Sequence, residues 1–131
     1  MNIFRITAIA VALLAGLCGA APSYASTDDP TVGDTVVYTF YSDVPGGNGL
    51  TWFNADGDIS QLESANLPRV ASNGRYWGTE SFTSRSTYQP VVGSIQTGGY
   101  FAGCTVSVDG TVIGTKTATG RFAIASCSSD D

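Results

Sequence analysis

The segment at residues 103–127, which reads GCTVSVDGTVIGTKTATGRFAIASC, restricts the fold more than any other part of this chain. Two runs that alternate apolar and polar residues, 104–108 and 111–117, flank Asp109 and Gly110. The Asp-Gly dipeptide readily takes the positive φ angles of a type I′ turn, which joins two strands through two residues. The segment therefore predicts a β-hairpin, with a cysteine near each end of the segment.

A two-residue turn also predicts which residues of this hairpin lie opposite each other. The expected pairs are Val108 with Thr111, Val106 with Ile113, and Cys104 with Thr115. One face of the hairpin would then be apolar, and the other would carry mainly threonine, serine and glycine. An apolar face of this kind has to be covered by a second sheet.

The alternation changes near the end of the segment. Cys127 shares a strand face with Ala125, whereas Phe122 and Ile124 belong to the other face. Two explanations are open at this point. Either a bulge near Ser126 shifts the phase, or Phe122 and Ile124 cover an outer surface of the protein.

The chain before this hairpin also reads as short strands and turns. Apolar and polar alternation predicts strands at residues 35–41, 50–53, 59–64, 76–83 and 90–97. The sequences PGGNG and NADGD are typical of turns, and the Leu67-Pro68 step interrupts pairing because proline lacks a backbone donor. Outside residues 1–25, no stretch shows a sustained helical period. The predicted fold is therefore all-β, an antiparallel immunoglobulin-like β-sandwich of seven or eight short strands.

Residues 1–25 have the pattern of a secretory signal peptide. Arg5 precedes an apolar stretch at 6–17, and the sequence SYA at 23–25 places small residues where a signal peptidase reads them. The alternative is that residues 6–21 form an uncleaved membrane anchor helix in a thin bilayer. The protein is therefore expected to be exported to the periplasm, the cell envelope or the extracellular space, with or without a membrane anchor.

The sequence divides into four predicted regions. They are the signal peptide or anchor at 1–25, a flexible tether at 26–33, the β-sandwich domain at 34–127 and an acidic tail at 128–131. Removing the first region leaves 106 residues, which is enough for one domain. These residues include five basic and eleven acidic side chains, a net charge of −6. This charge disfavours nucleic acid and anionic lipid surfaces as partners, since both attract basic proteins.

The three cysteines reduce to one predicted pairing. Cys18 lies in the signal region, and the bulky Leu17 before it disfavours lipid modification, so we interpret it as a thiol in a discarded segment. In an oxidising compartment the remaining Cys104 and Cys127 can pair in only one way. Such a bond would stabilise the fold by about 3 kcal/mol. The alternative is that Cys104 and Cys127 are two separate buried thiols.

The residue types that usually carry catalysis are scarce. The chain has no histidine, which removes the usual general base near neutral pH and the imidazole ligands of metals. The only glutamates, Glu63 and Glu80, lie in different predicted strands and are interpreted as surface acids. Asp56 and Asp58 flank Gly57 without the oxygen spacing of a calcium loop, so a hairpin turn is predicted. We expect no enzymatic activity, no cofactor and no metal.

Aromatic residues are the remaining candidates for function. Trp52, Phe53, Tyr76 and Trp77 form two adjacent pairs, and neighbouring residues of a strand point to opposite faces. One member of each pair should therefore face outward. Such residues either fill cross-strand positions or belong to a surface that docks a protein or an amphipathic lipid. We treat the four residues as a candidate interaction surface.

Several motifs together resemble a known family. The sequences VVYTFYS, LTWFNADGD and NLPRV, followed by GCTVSVDGTVIGTKTATGRFAIASC, are similar to the extracytoplasmic domain of the MmpS family, small membrane proteins of mycobacterial envelopes. The resemblance spans residues 35–127 and is most specific from residue 103 onward. Arg69 follows the Leu-Pro step where the family usually has tryptophan, and the segment 84–89 looks longer than usual.

The resemblance implies a non-catalytic exported cell-envelope protein. Such a protein would be an accessory to an MmpL-type transporter of the resistance-nodulation-division class and would support export of siderophore or lipid cargo. It also implies a β-sandwich with a disulfide between Cys104 and Cys127. The expected partners are the transporter or the amphipathic cargo, and not nucleic acid. The alternative is a freestanding secreted domain for binding or surface interaction, without a transporter partner.

Overall fold

A computed structural model describes residues 30–129, and this part of the chain consists of strands and turns. The signal peptide predicted at 1–25 and the anchor helix at 6–21 lie outside the described residues. Within 30–129 no helix has the length and apolar character needed to cross a bilayer. The described strands are β1 (Thr35–Ser42), β2 (Asn48–Phe53), β3 (Ile59–Ala65), β4 (Arg69–Val70), β5 (Tyr76–Thr83), β6 (Val92–Gln96), β7 (Phe101–Val108), β8 (Thr111–Thr119) and β9 (Ile124–Ser128).

These strands form two antiparallel sheets. One sheet has the order β9-β6-β2-β3, and the other has the order β4-β5-β1-β7-β8. The prediction of an all-β fold with two antiparallel sheets is confirmed. The described residues contain nine strands, more than the seven or eight predicted, and the additional one is the two-residue strand β4 directly after Leu67-Pro68. A segment this short carries too little alternation to be recognised from sequence.

The core lies between the two sheets. Val36, Tyr38 and Phe40 of β1 are fully buried, as the alternation of this strand predicts. Val106 of β7 extends the same layer, and Ile95 of β6 packs from the opposite sheet; both are fully buried. The inward side chains of both sheets therefore form one continuous apolar cluster.

The hairpin of β7 and β8 has the predicted turn but a different register. Asp109 and Gly110 have φ angles of 50° and 86°, and Val108 lies opposite Thr111 as predicted. An irregularity then follows, because Ile113 is an extra residue in β8 and turns into the core. The other two predicted pairs are therefore wrong: Val106 lies opposite Gly114, and Cys104 lies opposite Lys116.

The disulfide joins the two sheets. Cys104 belongs to β7 in the five-stranded sheet, Cys127 belongs to β9 in the four-stranded sheet, and their Cα atoms are 5.6 Å apart. Strand β9 pairs with β6 in an unbroken register, and Ile124 is 58% exposed. Phe122 is exposed as well, so the outer-surface explanation of the changed alternation is confirmed and the bulge is excluded.

The described boundaries of the domain differ from the predicted ones. Pro30, in the predicted tether at 26–33, is fully buried, and the amide of Gly33 donates to the carbonyl of Ser84 at 2.8 Å. At the other end, Ser128 is the last residue of β9 and lies opposite Val92, although it was assigned to the acidic tail at 128–131. Residues 26–29 and 130–131 lie outside the described part.

Candidate functional site

The structure separates the four aromatic residues of the predicted interaction surface. Trp52 packs inward against Phe40, with 6.4 Å between the ring centroids, and Tyr76 also packs against the core. Phe53 and Trp77 lie on the outer faces of the two different sheets, because each follows an inward residue in its strand. The four residues therefore do not form one surface, and each outward aromatic has to be considered with its own neighbours.

Trp77 belongs to a cluster that we call the arginine–aromatic patch, defined by Tyr41, Arg69, Arg75, Trp77 and Phe101. Tyr41 of β1 lies opposite Trp77 of β5, and Arg69 of β4 lies opposite Trp77 on its other side. The guanidinium carbon of Arg69 is 5.2 Å from the centroid of the Trp77 ring, and that of Arg75 is 3.5 Å from the centroid of the Phe101 ring. Both contacts have the geometry of cation–π interactions, which hold flexible arginine side chains against rings.

Gly103 explains how Phe101 lies so close to Tyr41. Gly103 is opposite Tyr41 in the β1–β7 pair. A Cβ atom at this position would lie 3.2 Å from the Cβ of Tyr41 and 3.4 Å from two carbons of the Phe101 ring. Because glycine has no side chain, the Phe101 ring can cover the backbone between the two aromatic residues. The patch is therefore a layer of rings packed on the sheet.

Asp43 holds one end of the patch in place. Its carboxylate accepts hydrogen bonds from the backbone amides of Tyr100 and Phe101, and from the hydroxyl of Thr97 at 3.2 Å. Burial would raise the pKa of this carboxyl, but these hydrogen bonds outweigh burial and lower the pKa below its usual value. Asp43 is therefore a positioning residue for Phe101. Its only local signal in the sequence is its place two residues before the PGGNG turn, and that signal does not predict this role.

Uncharged hydroxyl groups continue the same outer face beyond the patch. A row of threonines crosses the sheet from β5 to β8, and two of them, Thr105 and Thr115, approach within 3.2 Å between their hydroxyl oxygens. The row consists of Thr79, Thr39, Thr105 and Thr115. The patch is thus bordered by polar, uncharged residues, as the rim of a protein interface commonly is.

Phe53 belongs to a second apolar area, on the outer face of the other sheet. It lies opposite Ile59, and with Val92 these residues line a shallow depression of about 240 Å³. Tyr88, in the nearby segment 84–89, is 90% exposed. This area contains no arginine and therefore differs in chemistry from the arginine–aromatic patch.

The described acidic residues do not assemble into a metal site. Within residues 30–129 no group of three or more His, Cys, Asp or Glu side chains is placed to hold an ion. The sequence NADGD forms the predicted turn. The side-chain oxygen of Asn54 accepts hydrogen bonds from the backbone amides of Asp56 and Asp58, at 3.0 Å and 3.2 Å. The carboxylate of Asp56 forms an ion pair with Arg85, so this turn is tied to the segment 84–89.

No protein-family model matches this chain, and none of the curated proteins is significantly similar to it. The arginine–aromatic patch is therefore interpreted from its own chemistry. Tryptophan, tyrosine and arginine are the residues most enriched where protein interfaces concentrate their binding energy.

Proposed function

We propose that this protein is a non-catalytic, exported binding protein of the cell envelope that docks its arginine–aromatic patch onto a protein partner. The observation that supports the proposal is the composition of the patch, in which Tyr41, Trp77 and Phe101 lie beside Arg69 and Arg75. The rings offer large apolar area at a low cost in conformational entropy. The two guanidinium groups favour a partner surface that carries carboxylates.

The finer part of the proposal concerns the partner. We infer an accessory role for an MmpL-type transporter of the resistance-nodulation-division class, with siderophore or lipid as the exported cargo. This inference rests on the MmpS-like motifs over residues 35–127, together with the signal or anchor pattern at 1–25. The immunoglobulin-like character of the sandwich belongs to the same proposal, and an inter-sheet disulfide between Cys104 and Cys127 is a feature that immunoglobulin domains share.

Co-purification tests this function directly. The full-length protein, carrying an affinity tag, is isolated from membranes of its native host in mild detergent, and the proteins retained with it are identified by mass spectrometry. The wild type should retain a polytopic transporter. A Trp77→Ala, Arg75→Ala double variant should lose it, because the variant removes one aromatic anchor and one cation from the patch.

A matched control comes from the opposite face. Phe53→Ala also removes an outward aromatic residue, but it leaves the patch intact and should retain the transporter. Equal retention by all three proteins would contradict docking through the patch. Release of the wild type into the medium with no transporter retained would contradict the accessory role and would favour the freestanding secreted domain.

A further inference from the structure

The sandwich is cross-linked on one side and open on the other. The disulfide between Cys104 and Cys127 joins the sheets at the side of β7 and β9. On the other side, β3 is the last strand of its sheet, and β4 pairs only with the first two residues of β5, Tyr76 and Trp77. From Gly78 onward β5 therefore has no neighbouring strand on this side. A cleft between the sheets opens there.

The floor of this cleft is apolar. Leu62 lies at the mouth, Leu50 is 4% exposed at the base, and Phe40 lies fully buried beneath it. Leu62 is opposite Leu50 in the β2–β3 pair, yet 44% of its surface is exposed because no strand covers it. The cleft has a volume of about 330 Å³. This volume lies at the lower end of the range of protein sites for small ligands.

One carboxylate lies at the edge of this apolar floor. Glu80 lines the cleft and is opposite the inward residue Tyr38, which places its side chain on the inner side of β5. Within the described residues the Glu80 side chain has no hydrogen bond or ion pair. Arg69, the other charged residue that lines the cleft, is held over the Trp77 ring. The carboxylate of Glu80 is therefore a negative group without a protein cation beside it.

Partial burial also changes the pKa of the Glu80 carboxyl group. Loss of contact with water raises the pKa of Glu80 above its ordinary value, because burial disfavours the ionised form. Burying the ionised carboxylate costs free energy, and a ligand that brings a positive charge to it would offset this cost. A ligand that is only apolar would increase the cost, since it would displace more water from the carboxylate.

We propose that this cleft binds small amphipathic cations, in which a primary ammonium group pairs with Glu80 and an aliphatic chain lies along Leu62 and the accessible edge of Leu50. The charge of the carboxylate and the apolar floor together select this class. Neutral aliphatic molecules lack the ion pair, and aliphatic carboxylates are repelled by Glu80. The site shares Arg69 with the arginine–aromatic patch but none of its rings, and it adds a small-ligand activity to the proposed function.

The test compares three six-carbon probes of similar shape: hexylammonium, hexanol and hexanoate. Each is titrated into the folded full chain at neutral pH while backbone amide shifts are followed by NMR. Hexylammonium should give saturable shifts at Leu50, Leu62 and Glu80 and should bind about fivefold more tightly than hexanol. Hexanoate should bind most weakly. Equal binding of the three probes, or shifts centred elsewhere, would overturn the proposal.

Two variants and one control variant locate the site. Glu80→Gln keeps the side-chain size and should reduce hexylammonium binding to the level of hexanol, whereas Glu63→Gln removes a carboxylate of β3 outside the cleft and should change nothing. Leu62→Trp, which fills the mouth, should weaken all three probes. Unchanged hexylammonium binding by the Glu80 variant would contradict the assignment. None of these results depends on the transporter experiment, so the two proposals can fail separately.

Discussion

The carboxylate of Asp43 accepts hydrogen bonds from the backbone amides of both Tyr100 and Phe101, with its Oδ1 atom 3.0 Å from each nitrogen. These bonds tie the turn after β1 to the start of β7. Gly99 allows the close approach, because a Cβ atom there would lie 2.6 Å from the same carboxylate oxygen. Thr97, which follows β6, adds a hydrogen bond from the other sheet. One exposed aspartate thus connects both sheets and fixes an aromatic residue of the patch.

Replacing Asp43 should therefore reduce stability. Asp43→Asn keeps the shape but removes the charge and one acceptor oxygen, so the free energy of unfolding should fall by about 1 kcal/mol. Urea denaturation measures this change. Asp58→Asn is the matched control, because the Asp58 carboxylate makes no hydrogen bond within the described residues. Equal midpoints for the two variants would contradict the role of Asp43.

Asp43 also predicts the acid dependence of stability. Its pKa is lower in the folded state, so its contribution is fully present above the pKa of the unfolded chain and is lost as the pH falls through the folded pKa. The difference between wild type and Asp43→Asn should therefore shrink as the pH decreases into this acidic range. Thermal unfolding at a series of pH values measures the difference, and a constant difference would contradict the prediction.

Glu80 should change the stability of the protein with pH in the opposite direction from Asp43. Its pKa is raised in the folded state, so the folded form binds a proton more readily than the unfolded form, and stability decreases as the pH rises through the folded pKa. Glu80→Gln removes this cost and should unfold at a higher temperature than the wild type at pH 7. The gain should vanish below the pKa of the unfolded glutamate. A variant less stable than the wild type at pH 7 would show that the carboxylate has a favourable partner.

The disulfide should control how firmly the two sheets are held together. Mass spectrometry of the unreduced protein should give a mass two hydrogens below that of the reduced form. Cys104→Ser with Cys127→Ser should lower the free energy of unfolding by about 3 kcal/mol, because the bond closes a loop between residues 23 positions apart. Two free thiols in the unreduced protein would contradict the pairing.

Gly93 should tolerate no side chain. A Cβ atom at Gly93 would lie 2.7 Å from the Cδ1 atom of Tyr38, a fully buried ring. Gly93→Ala should therefore destabilise the protein by about 1–3 kcal/mol through overpacking. Gly49→Ala is the matched control on the adjacent strand, because its nearest contact would be an ordinary 3.9 Å. Equal urea midpoints for the two variants would contradict this packing.

Much of the fold could be predicted from local patterns, because apolar and polar residues alternate along each strand and this alternation is visible in consecutive residues. The alternation at residues 35–41 predicts that Val36, Tyr38 and Phe40 share one face, and the Asp109-Gly110 turn follows from its φ preference. The extra residue Ile113 was not predictable in this way. A bulge depends on which side chain the core accepts, and this is decided by packing from the opposite sheet.

The candidate site was predicted only in part, since it depends on pairing between distant strands. The adjacent Tyr76 and Trp77 predict one outward aromatic residue, and the structure shows that it is Trp77. Its grouping with Tyr41 and Phe101 follows from the register of β1 with β5 and β7, and no local pattern contains that register. The arginines added to the patch were missed for the same reason.

Site-specific photocrosslinking in living cells tests the docking claim most directly. A benzoylphenylalanine is introduced at Tyr41, at the centre of the patch, or at Phe53, on the opposite face. After illumination we expect a covalent adduct between the Tyr41-substituted protein and a polytopic transporter, identified by mass spectrometry, and none from the Phe53 position. A transporter adduct from Phe53 without one from Tyr41 would contradict docking through the patch.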